Sequence, residues 1–178
     1  MQNEPAIIAS LKIKTREGDF LAHYSAAGLA RLNFPSAKSK AAESTTAAQP
    51  VARWHQLTTR AIRRLLQGRS MGAIPPLDLS QGTEFQKKAW VAMRGIPAGK
   101  TATYGELAIS IRKPNAVRAV GGACGANPVP LIIPCHRVVA AQGGLGGFSS
   151  GLHWKIKLLG IEKSWRRLSP IVRRRGQN

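Results

Sequence analysis

The sequence predicts an α/β protein of the α+β kind: a small N-terminal sheet-plus-helix domain, then a mainly helical C-terminal domain with a helix-turn-helix and a short strand at its reactive centre. Three observations lead there. Strand-like alternation is confined to the first 34 residues, helical spacing of apolar residues recurs from Val51 onward, and a proline-containing extended stretch separates the two regimes near residues 70–80. The expected boundaries are 1–75 for the first domain, 80–165 for the second and 166–178 for a basic tail.

In the first region Leu11, Ile13 and Thr15 alternate with polar residues, Glu17-Gly18-Asp19 supplies a turn, and alternation resumes from Phe20 to Tyr24. Ala26-Ala27-Gly28 marks a second turn before Leu29 to Phe34, so three antiparallel strands are expected. Residues 36–50 are small and polar with almost no large apolar side chains, which predicts a flexible loop. A helix follows over 51–67, with Trp54, Leu57, Ala61 and Leu65 on its core face and Arg60, Arg63 and Arg64 off it. Gly68 can stop that helix, and Ile74-Pro75-Pro76-Leu77-Asp78-Leu79 reads as an extended connector, because proline disfavours helix in the residue before it.

In the second region Thr83 and Gln86 fit a capping box, and Phe85, Ala89, Trp90 and Met93 keep helical spacing until Gly95 and Pro97 end it. A second helix is expected from Tyr104 to Ile111. Arg112-Lys113-Pro114-Asn115 then makes a tight turn that places Asn115 to cap a third helix, through about Gly125. Two short helices joined by a brief turn fit a helix-turn-helix and an ordinary helical hairpin equally well. On the third helix Val117, Val120, Gly121 and Cys124 share a core-facing spacing, while Arg118, Ala119 and Gly122 lie opposite. One long cation among very small residues lets a helix approach a nucleic-acid groove closely. A reader of base edges would present several Gln, Asn, Arg or Lys side chains, so binding with little sequence preference is expected.

The charge agrees with a polyanionic partner. Against 27 Lys+Arg stand 8 Asp+Glu, a net +19 with a pI near 11.4, which makes nucleic acid the first partner to consider. A nucleic-acid packing protein, or a surface charged only for solubility, would share that balance. Two cysteines exclude a scaffold of several disulfides. No apolar run is long enough to span a membrane and the N-terminus lacks the pattern of a secretion signal, so a cytoplasmic protein with reduced thiols is expected.

The densest chemistry lies at Asn127-Pro128-Val129-Pro130-Leu131-Ile132-Ile133-Pro134-Cys135-His136-Arg137. Three prolines restrict the backbone, and Leu131 to Ile133 reads as a short buried strand. A thiol reacts as its thiolate, and an adjacent cation or imidazole lowers its pKa. A lone cysteine is more often a small buried hydrophobe. The Pro-Cys-His-Arg context favours reactivity for Cys135, and the helical core stripe favours a structural role for Cys124.

These segments together resemble the O6-alkylguanine-DNA alkyltransferases, also called methylated-DNA–protein-cysteine methyltransferases. The resemblance is carried, in order, by Gly82 to Gln86 with Trp90, Ile96-Pro97-Ala98-Gly99, Thr103 to Ala108, Arg118 to Gly121, Asn127-Pro128 and Pro134 to Val138. Gly146-Gly147-Phe148, Lys155, Leu158-Leu159 and Glu162 continue it, so that it covers about residues 80–163, whereas the first 70 residues fit the family only loosely.

The resemblance implies DNA repair by a single, irreversible transfer of a methyl or alkyl group from O6-alkylguanine to Cys135, with O4-alkylthymine an open second substrate. It implies a flipped base, an arginine finger at Arg118 and minor-groove contacts from Tyr104, Ala116, Val117, Ala119, Gly121 and Gly122. His136 would take the thiol proton through a water, Glu162 would orient the imidazole, Tyr104 would hydrogen-bond the base, and Asn127 would brace the turn before the active-site strand. The base pocket would include the Val138 carbonyl, Phe148, Ser149 and Lys155. The expected partner is double-stranded DNA carrying alkylated guanine. No cofactor, no metal, no membrane and no obligate protein partner are expected, and a monomer is.

Three features depart from the family pattern. Phe148 stands where tyrosine is usual, Ser150 replaces a glycine, and an Arg-rich stretch runs from Lys163 to Arg175, where it is expected to add DNA affinity. The alternative of a lesion-binding protein without transfer activity lacks the acceptor cysteine, which this chain has. A Cys-His hydrolase would want an oxyanion hole, and a regulatory relative would bring a separate cysteine-rich metal domain.

Overall fold

The computed structural model describes residues 5–36 and 49–163. The expected flexible loop, apart from its ends, and the basic tail lie outside the described residues. The chain divides into two compact units, one of residues up to 82 together with 128–132, the other of 83–127 and 133 onward.

The first unit holds an antiparallel sheet of β1 (Ala9–Thr15), β2 (Gly18–Ser25) and β3 (Gly28–Asn33), with β2 in the middle. Helix α1 (Val51–Leu66) packs on it. The expected strands are therefore present. The connector runs extended as anticipated, and it makes one parallel bridge beside β3: Leu29 N–H donates to the Pro76 carbonyl at 2.8 Å and Asp78 N–H to the Leu29 carbonyl at 3.0 Å. Segment 128–132 belongs to this unit as well, the Leu32 N–H donating to the Pro128 carbonyl.

The core face of α1 differs from expectation. Thr58 and Ile62 are buried with Ala61 and Leu65, whereas Trp54 and Leu57 are only half-buried. Threonine can occupy the core because its hydroxyl is fully engaged. It accepts from the Tyr24 hydroxyl at 3.0 Å and donates to the Trp54 carbonyl at 2.8 Å.

In the second unit α2 (Glu84–Arg94) opens with the expected Thr83/Gln86 capping box. Trp90 is buried and its indole N–H donates to the Ala123 carbonyl at 2.8 Å, which fixes α2 against α4 (Val117–Gly125). A second capping box, Thr103 with Glu106, starts α3 (Tyr104–Ser110). The same Thr-x-x-Glu spacing was readable in the sequence.

Three expectations here are corrected. Asn115 does not cap α4. The Ala116 N–H bonds back to the Lys113 carbonyl at 2.9 Å, so the turn closes on itself and the helix begins a residue later, with Ala116 at the cap position and no side-chain cap. The buried stripe of α4 is Val120, Ala123 and Cys124, while Val117, a turn earlier at the helix entrance, is exposed. Leu131 to Ile133 is not a strand: Leu131 and Ile132 form a buried turn, with Leu131 at φ 75°. The short strand comes after Cys135, where β5 (Val138–Val139) pairs in parallel with β4 (Ala102–Thr103). Helix α5 (Leu152–Ile161) completes the unit.

Replacing Thr58 with valine keeps the volume but removes one partner of the Tyr24 hydroxyl, leaving His55 Nδ1 at 3.2 Å. The expected loss is about 1–2 kcal/mol of unfolding free energy. Denaturant titration measures it, and midpoints equal to those of the unsubstituted protein would contradict the account of Thr58.

Candidate active site

Asn127 and Pro134 shape the reactive segment. The Asn127 amide donates to the Ile133 carbonyl at 2.8 Å, tying the end of the α4 turn to the residue two before Cys135. Residues Cys135–Arg137 then form one turn of 3₁₀-helix, closed by the Arg137 N–H on the Pro134 carbonyl at 3.0 Å. In an extended strand, neighbouring side chains would point to opposite faces. The tight turn instead buries three in a row, Cys135, His136 and Arg137, at 4%, 0% and 6% exposure.

Buried cationic and imidazole groups require partners. Glu162, just past the end of α5, supplies them. Arg137 Nε lies 3.0 Å from Oε2 and its Nη2 lies 2.8 Å from Oε1, while His136 Nε2 is 3.1 Å from Oε1. The remaining guanidinium nitrogen, Nη1, donates to the Ile96 carbonyl at 2.6 Å. Burial pushes the Glu162 carboxyl up, but hydrogen bonds from His136 and Arg137 and their charge outweigh it and hold the group down at about 2. Gly99 stands close by: a Cβ there would lie 3.3 Å from the Glu162 carbonyl oxygen.

This arrangement fixes the state of His136. Burial drives its pKa below the ordinary value, with the Glu162 contact opposing only in part, so the ring is neutral near pH 7. The proton belongs on Nε2, facing the carboxylate. Nδ1 is then a lone-pair acceptor, and it is buried without a hydrogen-bond partner among the described residues.

Cys135 is held as a thiol at rest. Burial raises its pKa, opposed by a hydrogen bond from the Asn127 side chain and by the charge of Lys155. Lys155 is itself completely buried, donating to the Val138 carbonyl at 2.6 Å and the Gly147 carbonyl at 3.1 Å, and burial pulls its pKa down to about 8. The Val138 carbonyl thus already has a donor within the chain. Cys124 is pushed up to about 12, first by burial and then by Cys135, as suits a structural thiol.

The β4–β5 pair brings the start of α3 beside the strand that follows Cys135, and Tyr104 is the first residue of α3. Its half-buried hydroxyl hydrogen-bonds the Gly147 backbone and feels both cysteines, and burial raises its pKa. Gly146, at φ 69°, lets the loop close over the ring: a Cβ there would sit 2.5 Å from the hydroxyl oxygen. Phe148 is half-buried and Ser149 exposed.

The other expected residues lie on α4. Arg118, Ala119 and Gly122 are exposed, as is Val117 at 41%, while Ala116 and Gly121 are partly covered. A Cβ added at Gly121 or Gly122 would meet nothing within 4 Å. Internal packing therefore does not require glycine at either position.

Sequence reasoning brought together Cys135, His136 and Glu162 but missed Arg137 as the main partner of Glu162, and Ile96 as the acceptor that completes it. A signal existed. Arg137 interrupts an apolar run in a chain with only 8 acidic residues, so a carboxylate near the end of the same region was its natural counterpart. Among the described residues no group of three or more His, Cys, Asp or Glu could hold a metal ion, and no helix is long and apolar enough to cross a membrane.

Comparison with known proteins agrees with this geometry. Residues 84–164 match the family described as 6-O-methylguanine DNA methyltransferase, DNA binding domain. A methylated-DNA–protein-cysteine methyltransferase of Methanosarcina mazei is 45% identical over 108 residues, covering 59% of this chain and 68% of that one. The Haemophilus influenzae protein of the same name is 53% identical over 83 residues, 47% of this chain and 46% of that one. Among solved structures, Mycobacterium tuberculosis OGT in complex with DNA superposes with a TM-score of 0.72 at 32% identity, over 90% of this chain and 95% of that one.

The Glu162 cluster predicts how stability depends on pH. Both His136 and Glu162 have folded-state pKa values below their unfolded ones, so the unfolded chain binds more protons in acid. Stability is expected to fall as pH drops below about 6.5, where unfolded histidine takes up a proton that the buried ring refuses. A further loss of about 2–3 kcal/mol is expected as pH falls from about 4.5 through the folded Glu162 value of about 2. Unfolding free energies that stay level from pH 7 to pH 3 would contradict this.

Proposed function

This chain belongs to the methylated-DNA–protein-cysteine methyltransferase family, and from that membership and the buried thiol beside a neutral imidazole we infer that Cys135 accepts the alkyl group. The protein repairs DNA by alkyl transfer, and DNA is its partner. We take the substrate to be guanine alkylated at O6 in duplex DNA. The observation that carries the assignment is a buried resting thiol next in sequence to a buried imidazole whose tautomer is fixed: Nε2 faces Glu162, and Nδ1 is without a hydrogen-bond partner among the described residues.

The reaction follows from these groups. His136 Nδ1, through one water, takes the Cys135 proton, and the imidazolium so formed is stabilised by Glu162. Asn127 and Lys155 favour the thiolate at the moment it forms. Sulfur attacks the alkyl carbon in line, an S–C bond forms, the C–O bond breaks, and the electron pair leaves onto guanine. We assign the Tyr104 hydroxyl to neutralise that charge by donating to the ring. The Val138 carbonyl, Phe148 and Ser149 would line the base site. The product thioether has no leaving group to return the thiol, so each molecule acts once.

Docking is assigned to α4. Glycine costs about 1 kcal/mol per helical position relative to alanine, and no neighbour explains Gly121 or Gly122. A surface that must come within van der Waals distance of a nucleic-acid groove explains both. We assign Arg118 to the space vacated by a flipped base, with Ala116, Val117 and Ala119 beside it. Both thiols are free, which fits our placement of the protein in the reducing cytoplasm.

Intact and peptide mass spectrometry after mixing with duplex DNA holding one O6-methylguanine tests this reading. One methyl on the Cys135 peptide, stoichiometric and absent in Cys135→Ala, is expected. Tight binding of the duplex with no methyl gained would overturn the assignment of transfer to Cys135.

A further inference from the structure

A strongly charged surface lies in the first unit, on residues that the transfer reaction does not use. Strand β1 is an edge of its sheet, and α1 runs beside it. The groove between them forms two adjoining hollows of about 640 and 580 Å³ that share Lys14, Arg63 and Gln67. Its walls carry Lys12, Lys14, Arg16, Arg60, Arg63 and Arg64. Against these six cations stand Glu17 on the wall and Asp19, which lies 4.0 Å from Lys12.

An edge strand ordinarily offers its backbone to another strand. Here that use is blocked. Arg63 donates to the Lys14 carbonyl at 3.1 Å, and His55 hydrogen-bonds the Lys12 carbonyl. Capping the carbonyls in this way leaves a groove that presents donors and positive charge, so its complement is an anion rather than a peptide strand. Lys14, Arg16 and Arg60 are exposed, and none of them pairs with a carboxylate among the described residues.

The spacing selects a polymeric anion. Arg60, Arg63 and Arg64 on α1 and Gln67 at its C-cap sit at i, i+3, i+4 and i+7, so they form one row about 10 Å long. Lys14 on β1 and Arg16 in the turn that follows it line the same groove. A single small anion needs one or two such donors. Two lines of cations along a groove suit consecutive phosphates of a nucleic-acid backbone, which guanidinium forks bind bidentately. The neutral, lowered-pKa His55 adds no charge at physiological pH.

We propose that the β1–α1 groove is a second contact for the DNA phosphate backbone, distinct in its residues from the α4 surface. It holds duplex without reading damage, so it acts on residence along DNA rather than on transfer. The choice of DNA over another polyanion rests on the partner assigned above; the site itself rests on the groove.

The test uses the full chain with Lys14→Gln, Arg16→Gln and Arg60→Gln combined. Binding to undamaged duplex is measured across salt concentrations, and methyl transfer to Cys135 is measured in the same preparations at saturating substrate. Each phosphate contact contributes about 0.9 to the slope of log K against log salt, so the triple variant should be shallower by about 2–3. Affinity should fall roughly tenfold or more at moderate salt, with the transfer rate unchanged. A slope equal to that of the unsubstituted chain would overturn the proposal. So would an unchanged duplex slope with loss of binding to polyglutamate, which would assign the groove to an acidic protein. If neither protein transferred methyl, the reading of Cys135 would fail while the slopes still decided the groove.

Discussion

Everything in the reactive unit depends on one buried ion pair, Arg137 with Glu162. Removing one partner from such a pair costs about 3–5 kcal/mol, because the other charge is left uncompensated in a low-dielectric interior. The pair spans 25 residues and ties the turn after Pro134 to the end of α5. It also decides the chemistry. A carboxylate held by a guanidinium stays ionised, presents Oε1 to His136, and so fixes which imidazole nitrogen carries the proton. The Ile96 carbonyl takes the last guanidinium nitrogen, so the loop after α2 belongs to the same network.

Around that fixed point the site balances opposing effects on a single sulfur. Burial disfavours the thiolate, while Asn127, Lys155 and the backbone favour it, and burial wins at rest. A thiol kept protonated until a base removes its proton is protected from adventitious oxidation. Lys155 is a further buried cation and is satisfied by two carbonyls instead of a carboxylate. Its position orders the loop from Gly147 and the strand at Val138 together, and Gly146 allows that loop to cover Tyr104. Helix α4, to which we assign docking, gives up helical stability at Gly121 and Gly122, where no neighbouring atom within the chain requires glycine.

Much of this was legible in the chain. The alternation at Leu11, Ile13 and Thr15, the helical spacing from Val51, and the Thr83/Gln86 box are local signals, and each produced its element. The Pro-Cys-His-Arg segment stood out because its residue types are chemically narrow, Glu162 only through the family resemblance, and the fold brings His136, Arg137 and Glu162 together. What failed depended on partners distant in sequence or on single-residue phase. Thr58 entered the core through a hydroxyl on a strand 34 residues earlier. Asn115 lost the cap to a turn hydrogen bond that shifted the helix by one residue. Leu131 adopted a left-handed turn where its apolar neighbours suggested a strand. Arg137 could not be paired with Glu162 from spacing alone, since only the fold brings the two together.

The central claim is that burial keeps His136 neutral, while Glu162, held by Arg137, fixes the ring proton on Nε2 and so leaves the Nδ1 lone pair available as an acceptor. Nitrogen-15 NMR of the His136 ring measures this directly. The account predicts the neutral Nε2–H tautomer at pH 7, persisting as pH falls below 6.5. An imidazolium at pH 7, or a ring protonated on Nδ1, would contradict it.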